Sequence, residues 1–200
     1  GVLASRDANG RSFSPWLPLG WDFDGAALGS GAIGWQFTSN GSTLGTLQAS
    51  PGHVRLSGLM LHAPANAALA SIPHPAAQAG WQGDLVFETA HWQCALNRIC
   101  DGEARLSWQG VRNALFPGRS FGDYELKVTA SAGNLSFQVA TQSGAIQITG
   151  NGEAPQGGVP HFDGFIAGDP DFLVRLPAIA GGAAQPTGKP GQFRLRWPPR

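Results

Sequence analysis

The sequence predicts an all-β fold of antiparallel strands, on three observations. It holds 29 glycines and 15 prolines in 200 residues, well above the roughly 12% of average usage, and both residues interrupt helices and serve turns. Apolar and polar residues alternate with a period of two in segment after segment, the pattern of strands with one dry face. Several links between these segments are short and carry glycine, which suits hairpins, whereas a parallel sheet needs helical crossovers of a dozen or more residues.

In chain order, Ile33, Trp35 and Phe37 alternate with Gln36 and Thr38, and Val54 and Leu56 alternate with His53, Arg55 and Ser57. Ala65 to Ser71 is the one short stretch with helical character. Trp81, Leu85 and Phe87 lie opposite Gln82, Asp84 and Glu88. From Glu103 to Gln109 the apolar set is Ala104, Leu106 and Trp108; Tyr124, Leu126, Val128 and Ala130 follow, then Leu135, Phe137 and Val139. The links 131–134 and 142–144 are tight, so three consecutive antiparallel strands are expected between Tyr124 and Gly150, and a meander is the natural topology. Ile146 with Ile148, Phe162 to Ile166, and Phe193, Leu195 and Trp197 complete the set. Pro155 to Pro160 and Ala180 to Gly191 read as loops, and residues 1–200 form one domain. One-sided alternation fits either a sandwich of two sheets or one long curled sheet, and the pattern alone leaves both open.

Composition excludes several functions. Thirteen Lys and Arg balance thirteen Asp and Glu, and only 13% of residues are charged, so the basic field that attracts nucleic acid or anionic lipid is missing. No run of eighteen apolar residues occurs, the nearest span being broken by Pro64, Pro73 and Pro75. The chain opens without Met or a signal peptide, and an N-terminal export or anchor segment preceding Gly1 is expected.

Few residue constellations suggest chemistry. Cys94 and Cys100 are the only cysteines, and an even count in an exported-looking chain points to a disulfide. A zinc site with His91 would lack a fourth ligand, and two free thiols are the remaining alternative. Gly29 to Gly34 matches the dinucleotide-binding glycine pattern, but a strand and not a helix follows it, so it reads as a turn. Asp22 with Asp24, and Asp169 with Asp171, stand beside Gly or Pro and read as turn residues, not as an acid–base pair. The histidines are scattered. Trp35, Trp81, Trp108 and Trp197 fall on apolar strand faces and read as core, while Trp16, Trp21 and Trp92 are unassigned; a sugar-stacking platform is the competing reading. No cofactor, metal or catalytic residue is expected.

Gly83-Asp84-Leu85-Val86-Phe87, the cysteine pair followed by Asp101 to Trp108, the hairpins after Phe121-Gly122-Asp123-Tyr124, and the ending Gly191 to Trp197 together resemble protein N of the bacterial type II secretion system. The likeness runs from about Gly29 to Trp197, and residues 1–25 match poorly. The resemblance implies a periplasmic, non-enzymatic accessory domain, anchored in the inner membrane. Its partners would be secretion proteins such as the outer-membrane secretin and inner-membrane platform components. The family is similar to proteins with a long groove-like β-sheet, which favours the curled sheet over the sandwich. The alternative function is a free-standing module that binds lipid on a concave apolar face, or glycan. The C-terminal strand Gln192 to Trp197 is expected at a sheet edge, with Phe193, Leu195 and Trp197 inward. Arg194 and Arg196 would then point outward, with Arg175 and Arg200 extending a positive patch. That patch either guards the edge against unwanted pairing or receives a partner's carboxylates.

Overall fold

The computed structural model describes residues 1–6, 13–70, 72, 77–97, 99–174 and 182–198. A small hairpin opens the chain, β1 (Val2–Arg6) against β2 (Phe13–Pro18). Next come β3 (Gly20–Asp24), a single 3-10 turn at Gly25–Ser30, β4 (Ile33–Ser39), β5 (Ser42–Ala49), β6 (His53–Pro64) and helix α1 (Ala65–Ala70). The long strands β7 (Trp81–Ala95) and β8 (Cys100–Asn113) follow, then β9 (Gly122–Ser131), β10 (Asn134–Ser143), β11 (Gln147–Ala154) and β12 (His161–Ala167). A one-turn helix α2 (Pro170–Leu173), β13 (Ala184–Pro186) and β14 (Gln192–Trp197) complete it.

The strands β3 to β14 form one twelve-stranded antiparallel sheet in the order β13-β14-β12-β11-β10-β9-β8-β7-β6-β5-β4-β3. Its two ends are not paired with each other, so the sheet is open and not a barrel, and the sandwich does not form. From β3 to β12 each strand lies beside its sequence neighbour, and most of the links between them are short. The helix expected at 65–71 is α1; α2 and the 3-10 turn are additional.

Bulges hold the alternation in phase. In β6 the residues on the apolar face are even-numbered at Leu56 and odd-numbered at Leu61; the change of phase falls at Gly58, at φ 58°, where β6 and β7 both skip a pair between Ser57↔His91 and Leu59↔Thr89. An irregularity between Glu88 and His91 does the same in β7, moving Trp92 onto the face of Leu85 and Phe87. Gly110, at φ 59°, marks another irregularity, in β8. A left-handed residue at such a bulge favours glycine, and each bulge bends its strand and increases its twist.

Fully buried side chains concentrate at one end of the strands. Val111, Phe121, Ile146, Ile166, Leu173 and Ala184 form a cluster flanked by Trp81, Trp108, Phe116, Tyr124, Phe193 and Leu195. Trp81 meets Trp108 and Phe121 edge-on with centroids 5.6 and 6.0 Å apart, the arrangement aromatic quadrupoles prefer. The Tyr124 hydroxyl donates to the carbonyls of Phe121 (3.2 Å) and Ile146 (3.1 Å), and burial raises its pKa. Full burial of such side chains stabilises by about 1.5–3 kcal/mol each. Arg119 forms ion pairs with Asp169 and Asp171, tying the 114–121 loop to the start of α2. This end of the sheet is therefore plugged. At the other end the strands are joined by the 3-10 turn between β3 and β4 and by the connections at 50–52, 96–99, 132–133 and 155–160.

Candidate functional site

Residues opposite each other on neighbouring antiparallel strands share a sheet face, so the register defines the two faces. One row reads Phe23, Trp35, Leu47, Leu56, Trp92, Gly102, Ala130, Leu135, Ala154. A second reads Leu61, Phe87, Leu106, Leu126, Val139, Gly150, Gly164, Leu195, Ala184. A third joins Ala104, Val128, Phe137, Gly152, Phe162 and Trp197. None of these positions carries a charge. Outside the plugged end most of the large side chains in them are only half buried, and Phe23 and Trp197, at opposite sides of the sheet, are exposed at 57% and 54%.

Phe137 and Phe162 lie stacked, with centroids 6.0 Å apart, across Gly152 of the third row and beside Gly150 of the second. A Cβ at Gly152 would fall 2.2 Å from the Phe137 ring, and one at Gly150 2.4 Å from that of Phe162. The rings thus lie over bare backbone, which leaves a low, continuous apolar floor that the rest of the described chain only partly covers.

The opposite face is polar. Arg105 and Lys127 both pair with Glu125, at 3.4 and 3.3 Å. Farther along, Asp163 of β12 accepts from Arg194 at 2.9 and 2.6 Å, and from Arg196 at 3.3 and 2.9 Å. These bonds, that of Arg194 first, hold the Asp163 carboxyl at a pKa of about 2. The Arg194 guanidinium also lies 5.9 Å from the Phe165 ring centroid. Both arginines therefore face the polar side as expected, but together they clasp a carboxylate of their own chain. Their strand is not an edge: β12 flanks β14 on one side and β13 on the other. Trp197 is on the apolar face by register but largely exposed. Arg175 and Arg200 lie outside the described residues. Asp163 escaped the sequence analysis because the pairing of β12 with β14 crosses about 30 residues. Its position in the alternation of His161 to Phe165 was the available signal.

Cys94 and Cys100 face each other across the β7–β8 hairpin and are joined. The linkage closes the tip that carries Leu96, which is 73% exposed. Replacing both cysteines with alanine is expected to cost about 2 kcal/mol, as for a small closed loop. Amide exchange should rise at 94–100 and stay unchanged in β9 to β12; a loss of protection throughout the sheet would contradict this local role.

The remaining expectations divide. The Asp24 side chain accepts from the Ala26 amide and caps the 3-10 turn, and Gly29 to Gly34 forms that turn and the start of β4. Asp22, read as a turn residue, instead sits inside β3. Trp21 and Phe23 alternate with Asp22 and Asp24, a strand pattern present in the sequence but overlooked among the turn signals. Asp169 and Asp171 hold Arg119. His91 stands opposite Glu103, and among the described residues no cluster of three His, Cys, Asp or Glu could hold a metal ion. No described helix is long and apolar enough to cross a membrane.

A family model, type II secretion system protein N, matches residues 5–194. The chain belongs to this family. Searches of curated proteins and of solved structures return no match. As a protein N of type II secretion, the chain is an accessory component of that machinery, and its family is not one of known enzymes. The match starts at residue 5, so most of the stretch that bore little likeness to the family, including β2 and β3, lies inside the family region.

Proposed function

We propose that this protein N domain is a non-enzymatic scaffold of the periplasm, held at the inner membrane by an anchor, that binds other secretion proteins through the apolar floor of its sheet. The secretin and the inner-membrane platform components are the proposed partners. The carrying observation is the uncharged floor, half exposed from β3 to β14. An uncovered apolar surface of this extent marks an interaction site. Arg194 and Arg196, at the β14 side, contribute a polar margin that can meet a partner's carboxylates with donors left over from Asp163.

Photo-crosslinking phenylalanine analogues at Phe87 and Phe137 test this, since each replaces an aromatic ring with a larger one on the floor. Crosslinks to the secretin or to a platform component in cells are the expected outcome. Adducts with phospholipid alone would overturn the reading in favour of an acyl-chain groove. That second reading draws on the absence of charge from the same floor.

A further inference from the structure

The polar face carries a feature of its own. Two shallow depressions, of about 590 and 550 Å³, lie side by side across β7 to β12 and share Lys127 and Thr129. Each is within the size range of small-ligand sites. They follow the register. One row reads Glu88, Arg105, Lys127, Gln138, Asn151 and Asp163, and the row beside it, from His91 to His161, is polar at every strand. Together they form one trough running across six interior strands, about 24 Å long at the spacing of neighbouring strands. Glu125, in the row on the other side, draws Arg105 and Lys127 to 3.4 and 3.3 Å, so both cations lean away from Thr129.

We propose that this trough binds an extended, uncharged, β-linked glycan, its sugar units laid across successive strands. Each strand from β7 to β12 is paired on both sides, so the trough offers no main-chain edge to an added peptide strand. Neither row holds an apolar side chain, so an amphipathic helix finds no anchors there. Charge complementarity selects among polymers. A polyanion meets Glu88, Glu103 and Glu153, and a polycation meets Arg105 and Lys127, whereas a neutral chain is repelled by neither set. Glu88 and Glu103 form no ion pair among the described residues, which leaves their carboxylates as acceptors for hydroxyl groups. Gln138 and Asn151 are exposed, and each side chain both donates and accepts, as sugar hydroxyls do. The spacing of neighbouring strands is close to the length of one β-linked pyranose unit, so each successive unit meets a new pair of side chains. The site lies opposite the apolar floor and goes beyond the reading of that floor as a partner surface.

The probe is chitohexaose, a neutral β-linked hexamer, titrated into the isotopically labelled domain and followed by nuclear magnetic resonance. Maltohexaose, whose α-linkages curl the chain, is the comparison. The side-chain amide signals of Gln138 and Asn151 should shift and saturate, equally at low and high salt. Those of Gln48, and the indole signals of Trp35 and Trp92 on the apolar floor, should stay in place. Gln138→Ala with Asn151→Ala should weaken chitohexaose by about tenfold, the effect of two lost hydrogen bonds. Both positions are exposed, so the melting temperature of this variant should be unchanged. Absence of shifts at millimolar chitohexaose, equal binding of the two hexamers, or movement of the indole signals without those of Gln138 and Asn151 would overturn the proposal. So would undiminished affinity in the double variant. Tighter binding of a sulfated glycan or of polylysine would overturn it in favour of a charged partner.

Discussion

Phe121→Ala is expected to remove about 3–5 kcal/mol of stability, the range for truncating a buried aromatic residue. Phe121 is only 4% exposed, within a cluster with Val111, Ile146, Ile166 and Leu173. Its ring meets Trp81 at 6.0 Å and Phe116 at 5.8 Å, both edge-on. Elsewhere most of the large apolar side chains on the sheet are only half buried, so little fully buried area compensates for a cavity here. Urea unfolding followed by tryptophan fluorescence measures the loss, with Leu96→Ala at the exposed hairpin tip as the control, expected within about 0.5 kcal/mol of the parent. A loss below about 1 kcal/mol for Phe121→Ala would show that the plug does not anchor the sheet.

Reversing both arginines of the clasp, Arg194→Glu with Arg196→Glu, is expected to invert the acid response of the fold. In the parent, Asp163 has a folded pKa of about 2, below its ordinary value of about 3.9. A depressed carboxylate contributes stability that is present above its unfolded pKa and lost as pH falls toward the folded one. The parent's clasp therefore weakens between about pH 4 and pH 2. In the double variant three carboxylates crowd the β12–β14 seam and raise one another's pKa. Their repulsion is greatest at neutral pH and relieved on protonation, so the variant should melt lower than the parent at pH 7 and approach it by pH 4. Adding Asp163→Arg restores opposite charges and should recover the neutral-pH melting temperature. That triple variant also separates stability from recognition: if it folds normally yet no longer recovers secretion partners in pull-downs, Arg194 and Arg196 are contact residues. Thermal melts at pH 7, 5 and 4 that fall in parallel for parent and double variant would refute the clasp.

Strand identity was legible wherever alternation ran unbroken, as in Glu103 to Gln109 and Tyr124 to Ala130, because the two-residue repeat is local. Antiparallel order followed from link length for the same reason. Trp92 could not be assigned, because the irregularity at 88–91 shifts the phase of β7, and a bulge is visible only against the partner strand. Trp21 and Phe23 were missed for a different reason: Asp22, Asp24 and Gly25 are turn residues by composition, and pairing with β4 outweighed that preference.

By itself the sequence determined the all-β class, the meander, the one-sided apolar pattern, the joined cysteines and, through its resemblance, the family. All of these depend on residues close in the chain or on composition. Tertiary structure alone decided that the apolar face stays an open floor plugged at one end, that Asp163 takes both arginines, and that the C-terminal strand lies between β12 and β13 and not at an edge. A covered core and an open floor require the same alternation, and edges and clasps depend on which distant strands meet.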